Sequence, residues 1–292
     1  MSAAIAAASE APARRSWWTI LRRTGPAGLA SFVVIVVAIL VGLAGPAAAP
    51  FDPELGQLSN SYVGPMQVPG HLLGFDGLGR DLLSRLLVGA RTSLLGPMAV
   101  VAICMALGVF LAVSSAWRKG LYDSVVSSGL DIVFAFPGIL LAILAATVFG
   151  AGLWSASIAL AVAYTPYVAR VLRGAALRER SQLYVAALEV QGAGSLSICA
   201  RHLVPNMAPL IVAQATILFG YAMVDLAAIS FLGLGVQPPK PDWGVMVNEN
   251  QSGVLQGYPL AAIAAGVCIV IVVVACNVLG ERLYEQAQAE AR

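Results

Sequence analysis

Leu183-Tyr184-Val185-Ala186-Ala187-Leu188-Glu189-Val190-Gln191-Gly192-Ala193-Gly194-Ser195 is too polar to span a bilayer and too patterned to be a plain linker. Leu183, Ala186, Ala187 and Val190 recur at three- and four-residue spacing, which puts them in one apolar stripe of a helix. Gly192 or Gly194 ends that helix, Ser195 caps a second short one, and Pro205 marks the end of the segment. On both sides the chain turns apolar, with Ala151–Ala169 before and Met207–Leu226 after. Residues 170–206 therefore read as a helix–turn–helix protrusion joining two membrane spans on one face, longer than most connections. The stripe needs cover. Spacing leaves two covers open: the chain's own helix ends and lipid headgroups, or a partner outside the membrane.

The rest of the chain agrees with a membrane setting. Of 292 residues, 59% are hydrophobic and 11% charged, whereas soluble domains carry about 25% charged residues. Stretches near the ~20 apolar residues that a spanning helix needs occur six times: Ala27–Ala49, Ser93–Ser115, Val125–Phe149, Ala151–Ala169, Met207–Leu226 and Pro259–Leu279. A cytoplasmic N-terminus places thirteen of the seventeen Lys and Arg residues inside and leaves Arg80, Arg85, Arg91 and Lys240 outside. By the positive-inside rule, both termini are cytoplasmic. Arg22-Arg23, the apolar run and Ala47-Ala48-Ala49 share features with a signal peptide, but the run is long for one, so the first span is expected to stay. With 17 basic and 15 acidic residues there is no charged domain of the kind that binds nucleic acid.

The organisation expected is an inner tail over 1–26, a first span over 27–49, an outer segment over 50–92, a core over 93–281 that includes the inner region 170–206, and an inner tail over 282–292. In the outer segment, Leu82, Leu83, Leu86 and Leu87 share a helical face opposite Asp81, Ser84 and Arg85, as in a helix lying flat at the interface. Residues 227–258, with Gly233, Gly235, Pro238, Pro239 and Pro241, read as loop and turn. Trp17, Trp18, Trp154 and Trp243 sit near span ends, where aromatic anchoring is ordinary.

Catalytic chemistry finds few residues to use. Lys119 and Lys240 are the two lysines and neither follows a glycine, so no phosphate-cradling Gly-Lys-Ser/Thr loop exists and any ATP must be handled by another chain. His71 and His202 fall on opposite sides of the membrane, which leaves no nucleophile–base pair and no metal motif. Cys104, Cys199, Cys268 and Cys276 have no ligand spacing and read as small apolar residues. No catalytic residue, metal or cofactor is expected in this chain. Among acids near spans, Asp131 reads best as a carboxylate at a cytosolic helix N-terminus, favoured by the helix dipole. Asp225 either lines a polar pathway or hydrogen-bonds the turn at Ser230.

Longer motifs carry a resemblance. His71-Leu72-Leu73-Gly74-Phe75-Asp76-Gly77-Leu78-Gly79-Arg80-Asp81, then Ser84-Arg85 and Gly89-Ala90-Arg91, resembles the stretch before the second span in permeases of peptide/nickel-type ABC importers, specifically the C-type subunit of oligopeptide and dipeptide systems. Asp131–Gly138, Ser230–Pro239 with Pro241-Asp242-Trp243-Gly244, and Asn277-Val278-Leu279-Gly280 are similar to three further motifs of that family, in the same order. The resemblance implies an all-α membrane protein of six transmembrane helices with the type I ABC importer permease fold. It also implies a second homologous permease, ATPase subunits holding ATP and Mg, and an extracytoplasmic substrate-binding protein.

The inner protrusion then matches the family's coupling pattern: Glu-Ala-Ala, three residues, Gly, nine residues, Ile-x-Leu-Pro. Ala186-Ala187-Leu188, Gly192, His202, Val204 and Pro205 stand at its positions. Tyr184, Ala187, Gly192, Arg201, His202, Pro205 and Asn206 agree with the peptide-importer version. Ala186 replaces the glutamate, and Glu189, three residues on, points about 60° away around the helix. The resemblance thus implies ATPase contact through Leu183, Tyr184, Ala186, Ala187, Glu189, Val190, Gly192, Arg201, His202 and Pro205. Asp225, with Ser230 and Phe231, is the candidate for a pathway or gate, and Gly79, Arg80, Asp81 and Arg85 belong to the outer family motif. Peptides are the expected substrate, with nickel or glutathione as alternatives in the same family. A self-sufficient secondary transporter dependent on Asp225 is the reading of a different class.

Overall fold

The computed structural model describes residues 24–290; the expected tail over 1–26 therefore lies almost wholly outside the described residues. Long apolar runs with every backbone polar group satisfied internally are what hydrocarbon permits, and helices dominate. They are α1 (Gly25–Ala48), α2 (Leu82–Arg118), α3 (Gly120–Phe134), α4 (Gly138–Phe149), α5 (Leu153–Arg180), α6 (Leu183–Val190), α7 (Ser195–Ile198), α8 (Ala208–Phe231), α9 (Trp243–Glu249), α10 (Gln251–Leu255) and α11 (Leu260–Glu290). Five of them, α1, α2, α5, α8 and α11, are long and apolar enough to cross a membrane alone.

The expected third span, Val125–Phe149, is not one straight helix. It divides into α3 and α4, bent by 80° at Ala135-Phe136-Pro137. Pro137 takes an extended backbone, with ψ of 131°, and the residue before a proline is biased away from helix. Packing shows that the bent pair crosses the membrane. At the inner end, Arg180 of α5 donates to the carbonyls of Ala116 and Trp117 at the end of α2. At the other end, Gly96 of α2 lies beneath Leu153 at the start of α5. Helices α2 and α5 thus run in the same direction, so the chain between them must return across the bilayer. This makes six crossings, with both ends of the described chain on one face.

Other expectations shift in the same way. The separate interfacial helix over Leu82–Leu87 is instead the first part of α2, a 37-residue helix about 55 Å long at 1.5 Å per residue. Asp81 caps it, its carboxylate accepting from the Ser84 amide at 2.8 Å, and no break separates that turn from the span. The fourth span continues past Ala169 to Arg180, so the protrusion proper begins at Ser181. Asp131 stands in the last turn of α3 rather than at a helix N-terminus. Gly194, not Ser195, occupies the N-cap of α7, and no side-chain cap bond forms there. The segment 227–258 is not all loop, because Asp242 caps α9 by accepting from the Gly244 and Val245 amides. Trp243 is buried, its indole N–H donating to the Leu86 carbonyl at 3.0 Å; it holds α9 on α2 rather than anchoring in headgroups. Trp154 is exposed at the start of α5. Trp17 and Trp18 lie outside the described residues.

Two apolar clusters organise the bundle. One runs from Val100, Cys104 and Ala112 through Leu160, Val168 and Leu172 into Val185, Ile198 and Leu203, so the protrusion shares the core of the spans. The other joins Leu82 and Leu86 to Met223, Trp243, Met246 and Ala265 on the outer half. Helix association in lipid relies on close packing at small residues, and Gly45 shows how close. A Cβ at that position would stand 2.1 Å from the Leu87 carbonyl oxygen. Gly45→Ala is expected to push α1 off α2 and destabilise the fold by about 1–3 kcal/mol, measured as a lowered melting temperature in detergent.

Candidate functional site

The inner protrusion is built on a helix stop. At the end of α6, Gly192 adopts φ of +81°. Its amide donates to Glu189 O, and the Ala193 amide to Leu188 O, both at 3.0 Å. This paired arrangement satisfies the last carbonyls of the helix and favours glycine at the left-handed position. Nothing lies within 4 Å of where a Cβ would be, so the position faces open space.

The stripe read from the sequence turns outward. Leu183 and Val190 are 88% and 89% exposed and Leu196 of α7 is 83% exposed; Ala186, Ala187 and Glu189 are exposed with them. The opposite face, with Val185 buried and Tyr184 and Leu188 partly so, packs on the bundle core. The chain's own helix ends therefore cover Val185, not the stripe. Three side chains from three separate segments tie the protrusion down. The Tyr184 hydroxyl donates to Glu179 Oε1 at 2.7 Å, and the Asn206 amide donates to the same oxygen at 2.8 Å and to the Tyr184 oxygen at 3.1 Å. Burial and then the Glu179 carboxylate hold the Tyr184 phenol above its ordinary range. Glu179 belongs to the end of α5 and Asn206 to the turn before α8, so α6 is latched to both neighbouring spans. Arg180 adds α2, stacking 4.7 Å above the Trp117 ring. Arg201, His202 and Pro205 lie on the exposed stretch between α7 and α8.

On the outer face, the motif residues form a buried ion-pair clamp. Asp76 accepts from Arg80 Nε at 2.7 Å and lies 3.4 Å from Arg85 Nε. Both arginines converge on Glu249 of α9, at 2.8 Å from Arg80 and 2.7 Å from Arg85. Arg85 also donates to the Pro53 carbonyl at 2.9 Å. Asp81, besides capping α2, meets His71 Nδ1 at 2.7 Å, and the His71 ring stacks on Phe51. Gly79 has φ of +69°, and a Cβ there would stand 1.9 Å from the Gln57 carbonyl oxygen. The clamp thus fastens residues 51–81, the start of α2 and α9 together. Glu249 was not among the expected residues. The usable signal was charge: two arginines beside an apolar helical face require acids, and the outer segments hold few.

The suggested gate residues do not form one cluster. Asp225 accepts from the Tyr164 hydroxyl of α5, not from the turn at Ser230. Ser230 is buried and accepts from the Val236 amide at 3.3 Å. Phe231 is the last residue of α8. Nearby Asp242 binds Ser93 Oγ at 2.7 Å, and burial raises its carboxyl above the usual range against these hydrogen bonds.

Set against known proteins, residues 105–289 match the family described as binding-protein-dependent transport system inner membrane component. The chain belongs to that family. The glutathione transport system permease protein GsiD of Escherichia coli O6:K15:H31 is 36% identical over 268 residues, 91% of this chain and 87% of that one. The di/tripeptide transport system permease protein DppC of Pseudomonas aeruginosa is 35% identical over 93% of this chain and 90% of its own length. A solved structure of inward-facing MetNI, a methionine ABC transporter, overlaps with a TM-score of 0.56 at 22% identity, covering 70% of this chain and 96% of that one, and shows the fold alone.

This inner-membrane transport component is thus a multi-pass permease subunit with an importer permease fold. Its two polar latches lie at opposite ends of the bundle. For the outer clamp, Glu249→Gln would leave two buried guanidinium groups facing one carboxylate. A loss of about 3–5 kcal/mol is expected on removing one partner of a buried network, read as a fall in melting temperature and faster proteolysis between residues 51 and 81. For the inner latch, Tyr184→Phe removes one hydroxyl that bridges Glu179 and Asn206. The expected cost is about 1 kcal/mol of fold stability, with hydrogen exchange rising in α6 before it rises in α5.

Proposed function

We propose that this chain is one permease of an ATP-driven importer of short peptides, paired with a second homologous permease and resting on two ATPase subunits. The observation that carries the reading is the outward turn of the α6 stripe: Leu183 and Val190 project apolar surface from the inner face. A soluble partner that covers them gains the ordinary stabilisation of apolar burial, about 25 cal/mol per Å². Latching through Glu179, Tyr184 and Asn206 gives that partner a handle on α5 and α8. Motion of the ATPases would then tilt both spans and switch the pathway between its two openings. ATP and Mg would be held by the partners, and this chain supplies no reacting group.

Helices α3 and α4 bury only Ala142 and Ala146 between them, which favours them as the side on which the second permease packs. Glu189, exposed beside Ala186, is proposed to take part in ATPase contact in place of the missing glutamate. Peptides are favoured as substrate because the glutathione and di/tripeptide permeases above both serve small peptides by name. An extracytoplasmic binding protein would deliver the substrate to the outer face.

In the reconstituted complex, Gly192→Trp is expected to leave the fold nearly intact, since the site is open and a left-handed non-glycine residue costs about 1–2 kcal/mol. Peptide uptake should fall while ATP hydrolysis persists. Val190→Asp should reduce the ATPase that copurifies with a tagged permease. Wild-type uptake by the Gly192→Trp complex, or undiminished ATPase capture by Val190→Asp, would overturn docking through α6.

A further inference from the structure

Four charged side chains stand apart from both latches. Arg173 of α5 binds Asp123 of α3 through two hydrogen bonds, and Arg170 binds Asp131 at 2.6 Å. Arg180 marks the level at which α2 ends, and Arg170 and Arg173 precede it by ten and seven residues. At 1.5 Å per residue, they sit roughly 15 and 10 Å closer to the outer face along α5. The Arg170 and Asp131 side chains are nonetheless mostly exposed. Charged side chains beside a span favour a water-filled space or a protein neighbour over lipid.

That space exists. Helices α2, α3 and α5 enclose an open cavity of about 430 Å³ whose polar lining is Ser115, Ser127, Asp131, Arg170 and Arg173. Its size falls in the range of small-molecule sites, about 300–1,000 Å³. Ser115 is 1% exposed, and its hydroxyl has no hydrogen-bond partner among the described residues; a buried group of this kind normally has one. The ion pair is also far from saturated. Arg170 uses one of five N–H donors on Asp131, and Asp131 accepts through one oxygen, leaving donors and an acceptor side by side. Phe134, 4.9 Å below the Arg170 guanidinium, holds the arginine in place.

Two guanidinium groups and the Asp131 carboxylate line the cavity, and Asp123 occupies the Arg173 guanidinium, so the open charges are one cation and one anion side by side. They suit a ligand that carries both charges. We propose that this cavity is a subsite for the charged ends of a zwitterionic peptide, with Arg170 meeting the carboxylate and Asp131 the ammonium, on this chain's wall of the translocation path. The inference rests on the importer reading above and adds the chemistry that the path recognises.

The test uses the whole complex in proteoliposomes, with Ser127→Cys as a reporter and wild type as the background for the native cysteines. A charged methanethiosulfonate is added at the inner face, with alanyl-alanine as the probe. Labelling is expected to proceed from water and to slow by about tenfold when the dipeptide stands at about ten times its Kd. N-acetyl-alanyl-alanine amide, which lacks both charges, should give no protection. Adding Arg170→Gln to the reporter should abolish the protection given by alanyl-alanine. Uptake of alanyl-alanine by the wild-type complex, together with unprotected or absent labelling at position 127, would overturn the subsite and leave the importer standing. Protection that survives Arg170→Gln, or equal protection by the uncharged analogue, would also overturn it. A wild-type complex that takes up no peptide removes both readings.

Discussion

The parallel packing of α2 on α5 is the contact from which the rest of the molecule follows. Lipid is as apolar as leucine, so two helices meet there through close fit rather than through exclusion of water. Gly96 and Gly108 of α2 admit Leu153 and Val168 of α5, where a Cβ would come within 2.7 and 2.5 Å of those side chains. With the outer ends joined at Gly96 and the inner ends at Arg180, the two helices share one direction. The broken pair α3–α4 is then obliged to cross between them, and the protrusion after α5 is set on the face where α2 ends.

Polar contacts finish what packing begins, and they do so at the two ends where water is near. Outside, Asp76, Arg80, Arg85 and Glu249 bring charges into balance beneath residues 51–81 and α9. Buried ion pairs are weak sources of net stability but strongly penalise any arrangement that separates them. That suits a clamp whose task is to hold one register between distant segments. Inside, Glu179, Tyr184 and Asn206 do the same for α6 with neutral and singly charged groups. Between the two ends the bundle is mostly apolar, with the Tyr164–Asp225 hydrogen bond and buried Gln214 inside it and four charged side chains on the side of α3. That helix has no buried residue and is held by ion pairs and by stacking of Arg118 on Tyr122 and Arg170 on Phe134.

Much of this was legible in the order of residues. The α6 stripe, its glycine stop and the apolar spans follow from local spacing and transfer energy, and the structure keeps α6 over Leu183–Val190 as read. Boundaries were harder. Ala169 looked like the end of a span because Arg170 follows it, yet the helix goes on, since a charged side chain facing a cavity with a carboxylate opposite need not end a helix. Pro137 was visible as a helix breaker, but whether the break turned the chain back or let it cross was not. Trp243 looked like an interfacial anchor until Leu86 offered its indole a buried acceptor. Asp131 was assigned to a helix start because Arg170, its partner, is 39 residues away.

Composition, the six apolar stretches and the distribution of basic residues determine by themselves that this chain is a helical membrane protein with an inner protrusion. Each depends on a residue and its near neighbours, or on the cost of placing a side chain in lipid. The motifs carry the family for the same reason, as short strings in order. Only the tertiary structure decides that the α6 stripe faces outward, that Glu249 closes the charge of Arg80 and Arg85, and that Asp131 and Arg170 share a cavity with Ser115. Those facts depend on which distant segments become neighbours, and helix-on-helix packing, not local pattern, sets that.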